Sequence, residues 1–231
     1  GWIVVYVVGF GNADVLSVAI GVPKLITVLL GLVLTALLVG FMRGGGLLRR
    51  FGLCKAQGRC KDYLYYLPLA LLSCVNLFGG LAADKGMLES VLFVVSMCLV
   101  ALLEELIFRG LLFKGMLRSG VRSAVVLSSL AFGAGHIVNL LLGASLGETL
   151  LQLCYAAAVG FCYTALFYAS GSILPCVLSH AFVNATSGFA AELGGAANTA
   201  LALGQSAIAV GYGLWLLRRA KRSGVPERAK D

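Results

Sequence analysis

Two adjacent carboxylates and a nearby guanidinium lie inside an apolar segment of this sequence. Glu104 and Glu105 stand between leucine-rich stretches, and Arg109 follows four residues after the second acid. A charged side chain at the centre of a membrane helix costs roughly 2.5 to 3.5 kcal/mol, and such groups normally face a bundle interior or a wet cavity. We therefore treat these three residues as candidates for chemistry inside the membrane.

The two acids are expected to have different roles. Glu105 and Arg109 are four residues apart with the acid first, so on an α-helix they share a face and can pair. Such a pair offsets much of the cost of burial, and a purely structural salt bridge is the simpler interpretation. Glu104 lies about 100° further around the helix and lacks a local cation, so it is the candidate general base. Its alternative is a protonated carboxyl that bonds to a neighbouring helix.

The chain has two histidines, and both lie in other apolar segments. Asn184 follows His180 by four residues, so the two side chains point the same way on a helix. At 1.5 Å per residue, Glu104, His136 and His180 lie roughly 10 to 20 Å from the predicted cytoplasmic edge. The sequence therefore predicts one shared pocket in the middle to cytoplasmic half of the bilayer. Three further polar residues show no comparable convergence: Asn76, Gln152 and Gln205.

These residues are compatible with two forms of peptide hydrolysis. In the first, Glu104 and His136 activate water, while His180 and Asn184 stabilise the oxyanion by about 3 to 4 kcal/mol per donor. In the second, Glu104, His136 and His180 bind Zn²⁺, which lowers the pKa of its bound water to about 7. The helix-borne H-E-x-x-H signature of zinc proteases is missing. Both forms stay open at this stage, and we favour the metal-free one.

Composition sets the environment of these groups. Of 231 residues, 60% are hydrophobic and 12% are charged, against about 25% charged in soluble domains. We predict an all-α, polytopic membrane helix bundle that forms a single domain over residues 1–231. The first apolar segment is interpreted as a membrane helix instead of a signal peptide. Eight spans are predicted: 2–22, 24–42, 63–83, 90–113, 123–142, 149–169, 172–190 and 198–217.

The basic residues predict the orientation of the bundle. The net charge is +8, and 15 of the 18 Lys and Arg residues fall in 43–61, 114–122 and 218–230. The positive-inside rule places all three stretches, and hence both termini, in the cytoplasm. The charge is thus assigned to the lipid bilayer, and nucleic acid is not expected as a partner.

Small residues and thiols add two expectations. The segment 132–136, Phe-Gly-Ala-Gly-His, is predicted to pack closely beside the carboxylate helix, and other small-residue faces are compatible with an oligomer. Free thiols are expected at all seven cysteines, and a metal site at Cys54 and Cys60 is disfavoured because no histidine lies near them.

The three motifs together resemble a known family. Glu104-Glu105-x-x-x-Arg109, Phe132-x-x-x-His136 and His180-x-x-x-Asn184 resemble, in order and spacing, the motifs of the CPBP family. That family includes type II C-a-a-X prenyl endopeptidases, the Abi proteins and bacteriocin-processing relatives. The resemblance covers about residues 90–190, the predicted catalytic core.

The resemblance implies an intramembrane endopeptidase with an eight-helix core. It implies that Glu104 is the activating base assisted by His136, that His180 and Asn184 bind the oxyanion, and that Glu105 and Arg109 support them. The family is described both as metal-dependent and as glutamate-dependent. We expect a membrane-associated peptide or protein substrate and a bacterial plasma-membrane location. The alternatives are a non-catalytic scaffold or bacteriocin-immunity protein, and an ion or solute transporter.

Overall fold

The protein is an α-helical bundle in the computed structural model, which describes residues 1–56, 66–82, 84–141 and 143–223. These residues contain ten α-helices: α1 Trp2–Ala19, α2 Leu25–Gly44, α3 Leu67–Ser73, α4 Met87–Glu104, α5 Lys114–Met116, α6 Val121–Ala134, α7 Val138–Leu141, α8 Leu146–Ser170, α9 Leu174–Ser187 and α10 Gly195–Arg222. A π-helix, Glu105–Phe113, joins α4 to α5. The 3₁₀ turns are Val75–Gly79, Leu117–Ser119 and Gly135–Ile137.

The all-α class is confirmed for the described residues, where the sole β feature is one antiparallel bridge between Leu81 and Ala190. Six helical stretches in these residues are long and apolar enough to cross a membrane: Trp2–Ala19, Leu25–Gly44, Met87–Ser119, Val121–Leu140, Leu146–Ser170 and Gly195–Arg222. The chain is therefore an integral membrane protein by composition and helix length.

The count of eight spans and the cytoplasmic termini stay predictions. Two predicted spans, 63–83 and 172–190, contain shorter helices in the structure. The first holds α3, of 7 residues, and the Val75–Gly79 turn, of 5 residues. The second holds α9, whose 14 residues extend about 21 Å at 1.5 Å each, less than the roughly 30 Å of a hydrocarbon core. Residues 57–65, including Cys60, Arg59 and Lys61, lie outside the described part of the chain, as do 224–231.

Helix α8 is the central element that positions the site. It packs between α6 and α10, while α4 packs between α2 and α9, and α1 lies against α2. In its most apolar window α8 is 50% buried, whereas α1 is 11% buried. Helix α8 begins at a capping box between Ser145 and Glu148 and ends at Gly171, whose φ of 69° favours glycine.

Close helix contacts depend on two glycines. A Cβ on Gly133 of α6 would lie 2.8 Å from the Ala157 Cβ and 2.8 Å from the Leu153 carbonyl oxygen, both on α8. A Cβ on Gly160 of α8 would lie 2.9 Å from the Phe132 ring. The predicted packing of this segment on the carboxylate helix is made by Phe132, whose ring centroid lies 5.3 Å from that of Phe108, whereas Gly133 lies against α8.

A hydroxyl, and not a glycine, joins α6 to the carboxylate helix. Ser128 Oγ donates to the Phe108 carbonyl at 2.9 Å. The prediction of free thiols is confirmed for the six described cysteines, of which Cys162 and Cys176 are buried and Cys98 and Cys154 are exposed.

Candidate active site

The carboxylate helix changes its winding at the site. Helix α4 ends at Glu104, and the π-helix begins at Glu105. Turns of this kind, with hydrogen bonds from i to i+5, are rare and are frequent at functional sites. The change in pitch comes between the two adjacent acids, and it sets their side chains on either side of one imidazole.

His180 lies between the two carboxylates. Its Nδ1 is 2.9 Å from Glu105 Oε1, and its Nε2 is 3.4 Å from Glu104 Oε2. Glu105 Oε1 already accepts a hydrogen bond from the Arg109 guanidinium, so it acts as an acceptor for His180 as well. The Nδ1 hydrogen therefore lies on the imidazole, and Nε2 faces Glu104. Glu104 has no cation on its own helix among the described residues, as expected, but α9 brings the His180 imidazole beside it.

The predicted pair of Glu105 and Arg109 is a fully buried ion pair. Arg109 Nη1 donates to Glu105 Oε1 at 2.9 Å, and both side chains are 0% exposed. Arg109 Nη2 also donates to the Gly160 carbonyl at 3.2 Å, and the guanidinium lies 4.2 Å from the Phe132 ring centroid. The same oxygen of Glu105 thus contacts both Arg109 and His180. The ion pair therefore positions His180, the candidate oxyanion-binding residue.

A tyrosine from the first helix contacts the candidate base. Tyr6 Oη donates to Glu104 Oε1 at 2.7 Å, and its ring packs on Phe10 with centroids 4.9 Å apart. This leaves Glu104 Oε2 directed at His180. Sequence reasoning missed Tyr6, because a lone tyrosine in an apolar helix carries no motif and its partner lies 98 residues away.

His136 is oriented by a chain of two amides. Asn139 Nδ2 donates to Gln152 Oε1 at 2.7 Å, and Gln152 Nε2 lies 3.2 Å from His136 Nδ1. With Gln152 donating, His136 Nδ1 is an acceptor and the ring hydrogen sits on Nε2. Neither amide was predicted, although Asn139 follows His136 by three residues and is its neighbour on a helical turn.

All four predicted catalytic side chains line one cavity. We call it the front cavity; its volume is about 320 Å³, and its wall includes Tyr6, Glu104, His136, His180 and Asn184. Helix α1 supplies five lining residues in all: Tyr6, Val7, Phe10, Gly11 and Asp14. The pocket has polar groups and room for several water molecules.

A second polar cavity lies behind the same side chains. We call it the rear cavity; its volume is about 240 Å³. The two cavities share five lining residues: Phe132, His136, Gln152, His180 and Asn184. The statement that Asn76, Gln152 and Gln205 do not converge was wrong, because all three line the rear cavity. Helices 50 to 130 residues apart in sequence bring them together, and no local spacing records that approach.

The zinc alternative finds no ready ligand set. Among the residues that the structure describes, no three His, Cys, Asp or Glu side chains are placed to hold one ion. His136 has Nδ1 on Gln152, and His180 has Nδ1 on Glu105. These bonds occupy only one nitrogen of each ring, but Glu104, His136 and His180 are not placed to hold one ion in this arrangement.

The comparison with known families agrees with the motif pattern. Residues 86–186 match the family described as type II CAAX prenyl endopeptidase Rce1-like. This match supports membership of the CPBP family. The matching family is a membrane protease family, and the matched segment runs from α4 to α9.

The other two comparisons give no relative. No curated protein and no solved structure matches this chain. The plasma-membrane and bacterial assignments stay predictions.

Proposed function

We propose that this chain is an intramembrane endopeptidase that hydrolyses a peptide bond of a membrane-associated peptide or protein. The observation that carries the proposal is that Glu104, His136, His180 and Asn184 line one cavity within a bundle of apolar helices. A carboxylate, two imidazoles and an amide around a wet pocket supply a base and hydrogen-bond donors, the two requirements of water-driven acyl hydrolysis.

The first step is attack by water. A water molecule between Glu104 Oε2 and His136 loses a proton to the carboxylate as its oxygen bonds to the substrate carbonyl carbon. His136, with its hydrogen on Nε2, donates to that water and orients it. Tyr6 holds the other carboxylate oxygen at 2.7 Å, so a single oxygen is left to act as base.

The second step is collapse of the tetrahedral intermediate. His180 Nε2 and Asn184 Nδ2 donate to the negatively charged oxygen, and each donor contributes about 3 to 4 kcal/mol. Glu105 accepts the Nδ1 hydrogen of His180 at 2.9 Å, which fixes the ring, and Nε2 carries the hydrogen that it donates when the imidazole is protonated. The C–N bond then breaks, and the proton held by Glu104 passes to the leaving amine.

The substrate class follows from the location of the site. A pocket in an apolar bundle is reached from the bilayer, so the substrate is a peptide or propeptide that is itself in the membrane or anchored to it. The family description names prenylated C-a-a-X proteins, and a prenyl chain is one such anchor. The assay therefore needs one prenylated and one unprenylated peptide.

The test uses the full chain in liposomes. Each of two quenched-fluorescence peptides is added, one farnesylated with a C-a-a-X end and one an unprenylated single-span peptide, and products are assigned by mass spectrometry. Glu104→Ala is expected to lower the rate at least 100-fold, the lower range for general-base catalysis. The exposed Glu192→Ala is the matched control and is expected to cleave like the parent.

Two outcomes contradict the proposal. Cleavage by Glu104→Ala at the parental rate removes the base and with it the mechanism. Full biological function after double replacement of His136 and His180 favours the scaffold or immunity alternative.

A further inference from the structure

The rear cavity is lined by amide side chains. Five of its lining residues are asparagine or glutamine: Asn76, Gln152, Asn184, Asn198 and Gln205. Its described lining contains no Asp, Glu, Lys or Arg. The front cavity, in contrast, is lined by Glu104 and Asp14. The two sides of the His136 and His180 wall therefore offer different chemistry, charged in front and neutral but polar behind.

Several of these amides have unused hydrogen-bonding capacity. Asn184, Asn198 and Gln205 make no side-chain hydrogen bond to any residue in the described ranges. Asn76 spends its Nδ2 on the Val183 carbonyl at 2.6 Å and on Thr186 Oγ1 at 3.0 Å, so its oxygen is left over. Each primary amide offers two donor hydrogens and one acceptor oxygen, the same groups as a peptide bond.

A membrane-embedded substrate needs such groups at the moment of cleavage. Inside a bilayer an intact helix satisfies its own N–H and C=O groups, and each unsatisfied group costs several kcal/mol. A peptide bond can be attacked by water only after its neighbourhood unwinds, which frees these groups. Neutral amides can receive them without the cost of burying a charge.

We propose that the rear cavity binds the unwound main chain of the substrate, on the side of the scissile bond away from Glu104. Asn198 and Gln205 of α10 receive main-chain N–H and C=O groups, and Asn76 receives a further N–H. The subsite rests on the proposed function. Asn76, Asn198 and Gln205 all lie outside the matched segment 86–186, so the family match assigns none of these contacts.

The occupant follows from the lining. The lack of Asp, Glu, Lys and Arg in the lining disfavours a free carboxylate or an amine as the ligand. Val183 and Leu201 lie among the amides and can contact apolar side chains of the ligand. The fitting ligand is thus an extended, uncharged peptide segment.

The experiment is a cycle between protein variants and main-chain variants of the peptide. Gln205→Leu and Asn198→Leu are compared with Asn12→Leu, an amide on the exposed face of α1 that bonds its own helix. The probe is whichever liposome peptide the parent cleaves, together with versions in which one amide flanking the cleavage site is replaced by an ester. An ester lacks the N–H and has a weaker carbonyl acceptor.

The expected result is a rise in KM of about threefold to tenfold for each α10 variant, the usual range for one neutral hydrogen bond. The value of kcat should stay near the parental one, and Asn12→Leu should have no effect. With the ester at the contacted position, the penalty of Gln205→Leu should disappear. A variant that merely disturbs packing would lose activity equally on the all-amide peptide and on its ester version.

Three outcomes overturn the subsite. The first is that the α10 variants behave like the parent. The second is that their rise in KM is the same at every ester position, and the third is that the parent cleaves neither peptide. The first two leave the proposed function standing if Glu104→Ala is inactive, and the third removes both. If Gln205→Leu does not fold, Gln205→Met, which keeps the side-chain length, replaces it.

Discussion

The polar residues of the matched segment and those of the flanking helices are used in opposite ways. Between α4 and α9, Glu105, Arg109 and His180 are buried and bonded to one another. In α1 and α10, which are 11% and 28% buried in their most apolar windows, Tyr6 and Gln205 each line a cavity. The matched segment thus builds the candidate site, and the flanking helices close it.

This contrast has a measurable consequence. Changes within the buried network should affect folding first, because a lost partner leaves a charge or a void in the interior. Changes on the flanking helices should leave folding intact and affect turnover.

The largest effect is expected from Glu105→Ala. It leaves Arg109, at 0% exposure, without its counter-charge, and breaking such a pair costs about 3 to 5 kcal/mol. The free energy of unfolding in mixed micelles measures the loss. Glu192→Ala, exposed and without an ion pair among the described residues, should change it by less than about 0.5 kcal/mol. Equal stabilities for the two variants would refute the buried-pair argument.

Gly160→Ala should destabilise the bundle by about 1 to 3 kcal/mol, the usual cost of overpacking. The new Cβ would lie 2.9 Å from the Phe132 ring and 3.4 Å from Arg109 Nη2. Gly211→Ala on α10 is the control, since nothing lies within 4 Å of its Cβ position; it should be neutral or slightly stabilising. The same unfolding measurement checks both, and a loss confined to Gly211→Ala would contradict the packing.

Tyr6→Phe should slow cleavage about tenfold, with a smaller loss of stability than Glu105→Ala. It removes one hydrogen bond to a carboxylate, worth about 1.5 to 3 kcal/mol, of which only the share specific to the transition state affects kcat. KM should hold, because the ring and its contact with Phe10 remain. Steady-state kinetics on the cleaved peptide gives both numbers. A raised KM with an unchanged kcat would make Tyr6 a substrate contact and not a positioning residue.

The smallest effect, about threefold to fivefold on kcat, is expected from Asn139→Leu. It removes the outer amide of the chain to His136 and leaves Gln152 in place, so the loss is part of one neutral hydrogen bond. Gln152→Leu should cost more than Asn139→Leu. The reverse order would show that the chain does not act through His136.

The sequence predicted the parts of the site that rest on local spacing. Glu105 and Arg109 pair as their four-residue separation indicates, and the apolar runs predicted the long helices. Isolated intramembrane polar groups are costly enough to mark Glu104, His136 and His180 without coordinates.

The parts that depend on which helices touch could not be obtained in this way. The contact of Tyr6 with Glu104 joins residues 98 apart, and the amides of the rear cavity come from elements as far apart as Asn76 and Gln205. The length of α9 was also overestimated, since its 14 residues are fewer than the predicted span 172–190 contains. Hydropathy measures composition and does not show where a helix begins or ends. The π-helix was missed because its residues follow the same apolar pattern as an α-helix.

That wide-turned stretch, Glu105–Phe113, makes the length of the chain between the acids and α5 critical. Removing any one of its residues would let the segment relax to ordinary i to i+4 winding, at little cost to hydrophobicity. Because a π-helix turns by a smaller angle per residue than the 100° of an α-helix, the side chains on the two sides of the deletion would then have a different angular relation. The carboxylates and the guanidinium would face different neighbours, although each would still be present in the sequence.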